Sequence, residues 1–206
     1  MKAVLASLKP FWYYLVGEGI KTIEVRKTFP KAEDWSRETY FYMSRDEKSF
    51  AEIPKEFQDK YRKHFGKVGL RFVCDRIDQI GKRGCDNNFD YCYLPLNVFG
   101  NDDIEIEITD IKRSCISKDE LNAYGENAPR LYAWHISNLI IYDKPMELGE
   151  FFAHCSSDKG YVNIDCDGCA YYQAISVYTG WCVSGGYKPI TRPPQSYMYC
   201  EDVSDG

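Results

Sequence analysis

The apolar positions of this 206-residue chain change period along its length, and each change predicts an element. Residues 1–8 (MKAVLASL) form a near-continuous apolar run, the mark of a buried strand. Pro10 stands where a first helical position belongs, and Phe11-Trp12-Tyr13-Tyr14-Leu15-Val16 follows as a short apolar helix. Gly17 and Gly19 are its candidate stops. Residues 22–27 alternate as a second strand, and 39–44 (TYFYMS) form a third. Residues 52–65 are expected to be helical, with Pro54 near the start and Phe57, Tyr61 and Phe65 on one face. A strand of changing polarity covers 68–80, and the Gly-, Asn- and Asp-rich residues 81–101 are expected to be an inserted loop. Residues 103–111 (DIEIEITDI) alternate strictly, which predicts a strand. Ser117 and Glu120 form a capping box that opens a short helix, and Gly125 ends it. Strands follow at 131–136 and 139–142, then a turn at 143–145 and a helical turn within 146–152. Residues 153–187 show little periodicity, and 196–200 (SYMYC) form a last strand. Six or seven strands with short helices between them predict an α+β protein around a strongly bent sheet or small barrel.

Composition narrows the class. No stretch reaches the roughly 18 consecutive apolar residues of a membrane span. Lys9-Pro10 interrupts the first apolar run, and no small-residue cleavage site follows, so a signal peptide is not expected and the reading is cytoplasmic. Nine cysteines, an odd count without a secretion signal, argue against a disulfide framework. The net charge of −5 excludes a globally basic nucleic-acid binder. The charge is uneven, however: residues 1–72 carry 15 Lys/Arg against 10 Asp/Glu, and the remainder 11 against 21. That leaves room either for a local basic face or for a solvated helix of mixed charge around residues 52–67.

The candidate chemistry concentrates in two places. In GEGIKTIEVRK (residues 17–27), strand geometry sends Thr22, Glu24 and Arg26 to one face and Ile23 and Val25 to the other, with Lys21 at the strand's mouth. A Glu beside an Arg orients the guanidinium fork for a phosphate or carboxylate, and Lys21 can reach the same anion. The alternative is a surface ion pair worth about 0–1 kcal/mol. Lys9 adds positive charge before the helix, and Trp12 either stacks on a base or packs in the core. His135 is a candidate general acid–base or a satisfied structural histidine. Ser196 and Tyr197, after Pro193-Pro194, are candidates for the cleft border. The second place is the aperiodic segment, where Cys155, Cys166, Cys169 and Cys182 include a C-x-x-C pair and supply four thiolates for a structural zinc; free thiols are the alternative. A zinc-stabilised, Tyr-rich segment would also serve as a protein-interaction surface. No Walker or Rossmann glycine loop occurs.

The unit Ser7-x-Lys9-Pro10, short helix, Gly19-x-Lys21-Thr22-x-Glu24-x-Arg26 resembles the opening of the ASCH family of the PUA-like superfamily. The segments VGLRFVCDRI, LYAWHIS and RPPQSY resemble phage-borne and bacterial members. This resemblance implies a small mixed β-barrel with flanking short helices over residues 1–145 and 188–203, with 146–187 as a Cys-rich extension. It also implies a cleft lined by the Lys-Thr-x-Glu-x-Arg segment and by late strands. The expected partner is RNA, a nucleotide or a modified nucleoside. Some members resemble amidohydrolases of acylated cytidines and others ribonucleases, which makes Lys21 and Glu24 the catalytic candidates. In the amidohydrolase branch a Thr follows the Lys by three residues; here that position is Glu24.

Overall fold

A computed structural model describes residues 2–31, 35–85, 88–94, 112–126, 128–154 and 187–203. It is a mixed α+β arrangement of short helices on several sheets. The larger sheet has five strands in the order β11-β1-β3-β4-β8: β11 (Tyr197–Glu201), β1 (Lys2–Leu8), β3 (Trp35–Met43), β4 (Val68–Val73) and β8 (Ser137–Met146). A second sheet has the order β2-β7-β5-β6: β2 (Ile23–Arg26), β7 (Arg130–His135), β5 (Ile77–Cys85) and β6 (Asn88–Leu94). β9 (Phe152–His154) and β10 (Tyr187–Pro189) form a separate pair. No hydrogen-bonded ladder joins the two larger sheets among the described residues.

β1 takes an interior place in the sheet because it is apolar on both faces: Ala3, Val4, Leu5 and Ala6 are all fully buried. It pairs with β3 in parallel and with β11 antiparallel. Helix α1 (Pro10–Gly17) then carries the chain to the other sheet, with Pro10 in its first turn. Gly19 takes φ +69°, the left-handed conformation that glycine adopts without penalty, and the amides of Ile20 and Lys21 return to the Leu15 carbonyl. The chain thereby turns sharply into β2. Tyr13, Tyr14, Tyr61 and Trp134 fill the core between the two sheets. Tyr61 lies on α3 (Lys55–Arg62), which follows the short α2 (Glu47–Ala51). On the far side of β2, Ile23 and Val25 pack with Leu121 of α4 (Lys118–Gly125). The Ser117/Glu120 capping box of α4 is present.

Four expectations change. The 68–80 strand is two strands, β4 and β5, in different sheets, because the chain crosses between layers at residues 74–76. The expected loop at 81–101 begins as the β5/β6 hairpin, paired from Gln79↔Leu94 to Cys85↔Asn88; ladder bonds join main chains, so the polar composition did not prevent it. The expected turn at 143–145 continues β8, where Pro145 is tolerated because β8 is an edge strand. The 52–65 helix is α3 alone, preceded by α2 and followed by a turn. The strand at 103–111 lies outside the described residues, as does most of the Cys-rich extension, residues 155–186.

Candidate functional site

The alternation in β2 is real, but neither of its faces is open to water. Ile23 and Val25 meet α4, while Glu24 and Arg26 point between the sheets, toward α1 and the chain entering β11. Their side chains are 8% and 6% exposed, and that of Lys21 is 1% exposed. The three therefore form a buried charge cluster, and the surface ion pair is excluded. Glu24 sits between two cations: Lys21 Nζ is 3.4 Å from Oε2 and Arg26 Nε 2.9 Å from Oε1. Both cations are also anchored by main chain. Lys21 Nζ donates to the Ser114 carbonyl at 2.6 Å, and Arg26 donates to the carbonyls of Ser7 (2.7 Å) and Ser196 (3.0 Å). Arg26 thus ties β2 to the ends of β1 and β11, and its position is fixed from three directions.

These groups form the floor of a cavity of about 340 Å³. Ser7, Leu8, Lys9 and Trp12 contribute one wall, Glu120 and Tyr124 of α4 the opposite one, and Gln195 the rim. Lys21 Nζ lies 5.2 Å from the centre of the Trp12 ring, a cation–π contact. Burial lowers the Lys21 pKa from its ordinary value, and the attraction of Glu24 opposes that shift. Burial also raises the Tyr124 hydroxyl, the nearby Arg26 acting against it. Counting Glu120, the described residues of the lining include three cations and two carboxylates. At the floor, two cations share one carboxylate.

Of the residues expected from sequence, Lys9, Trp12, Lys21, Glu24 and Arg26 line this one cavity. Thr22 is outside the cavity lining; its hydroxyl accepts from Arg113 Nε at 2.9 Å. Ser196 contributes its carbonyl to Arg26 rather than its side chain to the cavity. Tyr197 packs edge-on against Trp134, and its hydroxyl donates to the Phe29 carbonyl at 2.7 Å. His135 is outside the cavity lining; it is buried, with Nε2 2.7 Å from Asp78 Oδ2, as a satisfied structural histidine would be. Cys155, Cys166, Cys169 and Cys182 lie outside the described residues. Sequence reasoning missed Glu120, read only as a capping residue, and Tyr124 four residues on, the spacing that puts both on the same helix face. It also missed Ser114, which meets Lys21 through its carbonyl, a contact that leaves no side-chain signature.

No family model and no curated protein matches this chain. Among solved structures, ASCH from Zymomonas mobilis aligns over 97% of this chain and 88% of its own, at 13% identity and a TM-score of 0.42. Two mutant proteins of the same ASCH align over 98% and 97% of this chain and 92% and 89% of theirs, both at 13% identity and a TM-score of 0.43. These are proteins of the family that residues 7–26 resemble. At that identity and TM-score the likeness carries no statement about ligand or reaction.

Proposed function

We propose that this chain is an ASCH-type, PUA-like module that binds RNA, or a nucleotide unit of it, in the Lys21/Glu24/Arg26 cavity, its larger sheets being the walls of the family's small barrel. The carrying observation is the surplus cation, among the described residues, at a floor nearly closed to water. Desolvating a charge without a full partner costs several kcal/mol, and an incoming phosphate relieves that cost. Trp12 and Tyr124 on opposite walls suit the flat apolar faces of a base. The test is a titration of nucleoside monophosphates and short single-stranded RNA into the parent protein and Lys21→Met, at low and moderate salt. Saturable binding that weakens with salt, and that Lys21→Met reduces at least about tenfold, supports the reading. Absence of binding at low salt, or unchanged affinity in Lys21→Met, rejects it.

A hydrolase is the second reading, favoured by one observation: burial makes the Lys21 amine give up its proton more readily than a lysine in water. A neutral amine held against Glu24 is a general base, for acylated nucleosides or for RNA. No turnover of acyl-cytidines or RNA by the purified protein eliminates this reading and leaves the binding one standing.

A further inference from the structure

A second concave surface, of about 570 Å³, lies on the same face of the β2-β7-β5 sheet. Cross-strand register establishes the shared face. Arg26 of the first cavity is opposite Tyr132 of β7, which is opposite Gln79 of β5, and residues directly opposed across a sheet point to the same side. Tyr132 and Gln79 line the second surface. Along the chain, Arg26 and Phe29, one in each lining, are three residues apart, which spans at most about 10 Å of extended backbone. Single-stranded nucleotides repeat on that length scale.

The lining chemistry of the second surface is that of a polynucleotide track. Arg37, Arg76 and Arg130 face it, all exposed, against one lining carboxylate among the described residues, Asp75; a second carboxylate, Asp78, is buried and engages Arg76 at 2.9 Å. Between the arginines lie Phe29, Trp35 and Tyr132, each half-buried, with the Phe29 and Tyr132 rings 4.5 Å apart. Lys31 adds a further cation, 5.5 Å from the Phe29 ring centre. Arg37 is held at φ +66°, a conformation unfavourable for a residue with a side chain, and its guanidinium donates to the Asp75 carbonyl at 3.1 Å. Guanidinium groups interleaved with aromatic faces bind single strands through phosphate contacts and base stacking.

We infer that the ligand is a strand rather than a free nucleotide: one unit enters the Lys21/Glu24/Arg26 cavity, and the adjoining units run over Phe29 and Tyr132 onto Arg37, Arg76 and Arg130. This rests on the binding reading of the first cavity, and the two fail differently. The experiment measures a nucleoside monophosphate and a single-stranded hexaribonucleotide against the parent, Arg37→Ala and Arg130→Glu, across a salt series. Both substitutions are at exposed positions, so folding is retained, and Arg130→Glu also reverses the charge. The parent is expected to hold the hexamer at least about tenfold more tightly than the monophosphate, with a steeper salt dependence, since each phosphate contact on a single strand adds about 0.7 to the log–log slope. Each variant is expected to lose most of that advantage and to keep the monophosphate affinity. A parent that binds both lengths equally, or variants that keep the full hexamer advantage, overturn the strand inference and leave the first cavity intact. A parent that binds neither overturns the reading on which the inference rests.

Discussion

Replacing Glu24 by Gln removes the carboxylate that lies between Lys21 and Arg26 while keeping nearly the same volume. With the three side chains at 1%, 8% and 6% exposure, solvent cannot take over the screening. Removing one partner from a buried ion pair costs about 3–5 kcal/mol. The low end applies, because Lys21, already inclined by burial to lose its proton, relieves part of the strain by doing so. A loss of about 3 kcal/mol lowers the folding constant by more than about a hundredfold and Tm by about 6–12 °C in a chain of this size. Lys21→Met gives the opposite contrast. It removes the surplus cation, leaves Glu24 matched to Arg26, and forfeits the hydrogen bond to the Ser114 carbonyl together with the contacts to Glu24 and the Trp12 ring. Its net effect is expected within about 1 kcal/mol of the parent. Glu47→Gln, which breaks an exposed pair with Arg62 and leaves the Arg62 guanidinium 3.8 Å from the Phe50 ring centre, sets the baseline at about 0–1 kcal/mol. Urea denaturation reads all three, with equal m values required for the comparison. If Glu24→Gln matches the Glu47→Gln baseline, or if Lys21→Met is the more damaging substitution, the charge-imbalance reasoning is refuted.

His64 is fully buried, and burial first, then Lys63 and Lys60, push its pKa down to about 4. The unfolded chain takes up that proton near its ordinary value of about 6.5, so this group's contribution is whole above pH 6.5 and is lost progressively as pH falls toward 4. His64→Gln should flatten the stability–pH curve in that window; an unchanged slope contradicts the assignment. Gly69 lies where an added Cβ would stand 1.9 Å from His64 Nδ1 and 2.6 Å from the Tyr13 hydroxyl. Gly69→Ala is therefore expected to cost about 1–3 kcal/mol or more in thermal or urea melts, and a neutral result would show that the core yields there. Zinc on Cys155, Cys166, Cys169 and Cys182 predicts about one metal per chain by elemental analysis of protein purified without added metal; a value near zero, with Cys169→Ser folding normally, removes it.

What was legible in the sequence was local. The Pro10 helix start, the Gly19 reversal and the Ser117/Glu120 box are each decided by a few adjacent residues, and each stands as expected. The grouping of Lys21, Glu24 and Arg26 was legible from strand alternation; its burial was not. Alternation says that two faces differ, and it implied that the polar one meets solvent. Burial of that face depends on Ser7, Ser114 and Ser196, which are distant in the chain and act through carbonyls. The second basic surface was hidden for the same reason, since Arg37, Arg76 and Arg130 come from β3, the β4–β5 crossing and β7. The crossing itself was missed because VGLRFVCDRIDQI has no glycine or proline between Val73 and Ile77 to mark a change of sheet.

The most direct measurement is side-chain NMR of the lysine ammonium and arginine Nε groups during titration with a short single-stranded RNA. Saturable shifts of the Lys21 and Arg26 signals, at the same RNA concentrations that saturate binding, are the predicted result. Binding that shifts only the exposed lysines and arginines, and leaves Lys21 and Arg26 unmoved at saturation, would contradict the assignment of this cavity as the ligand site.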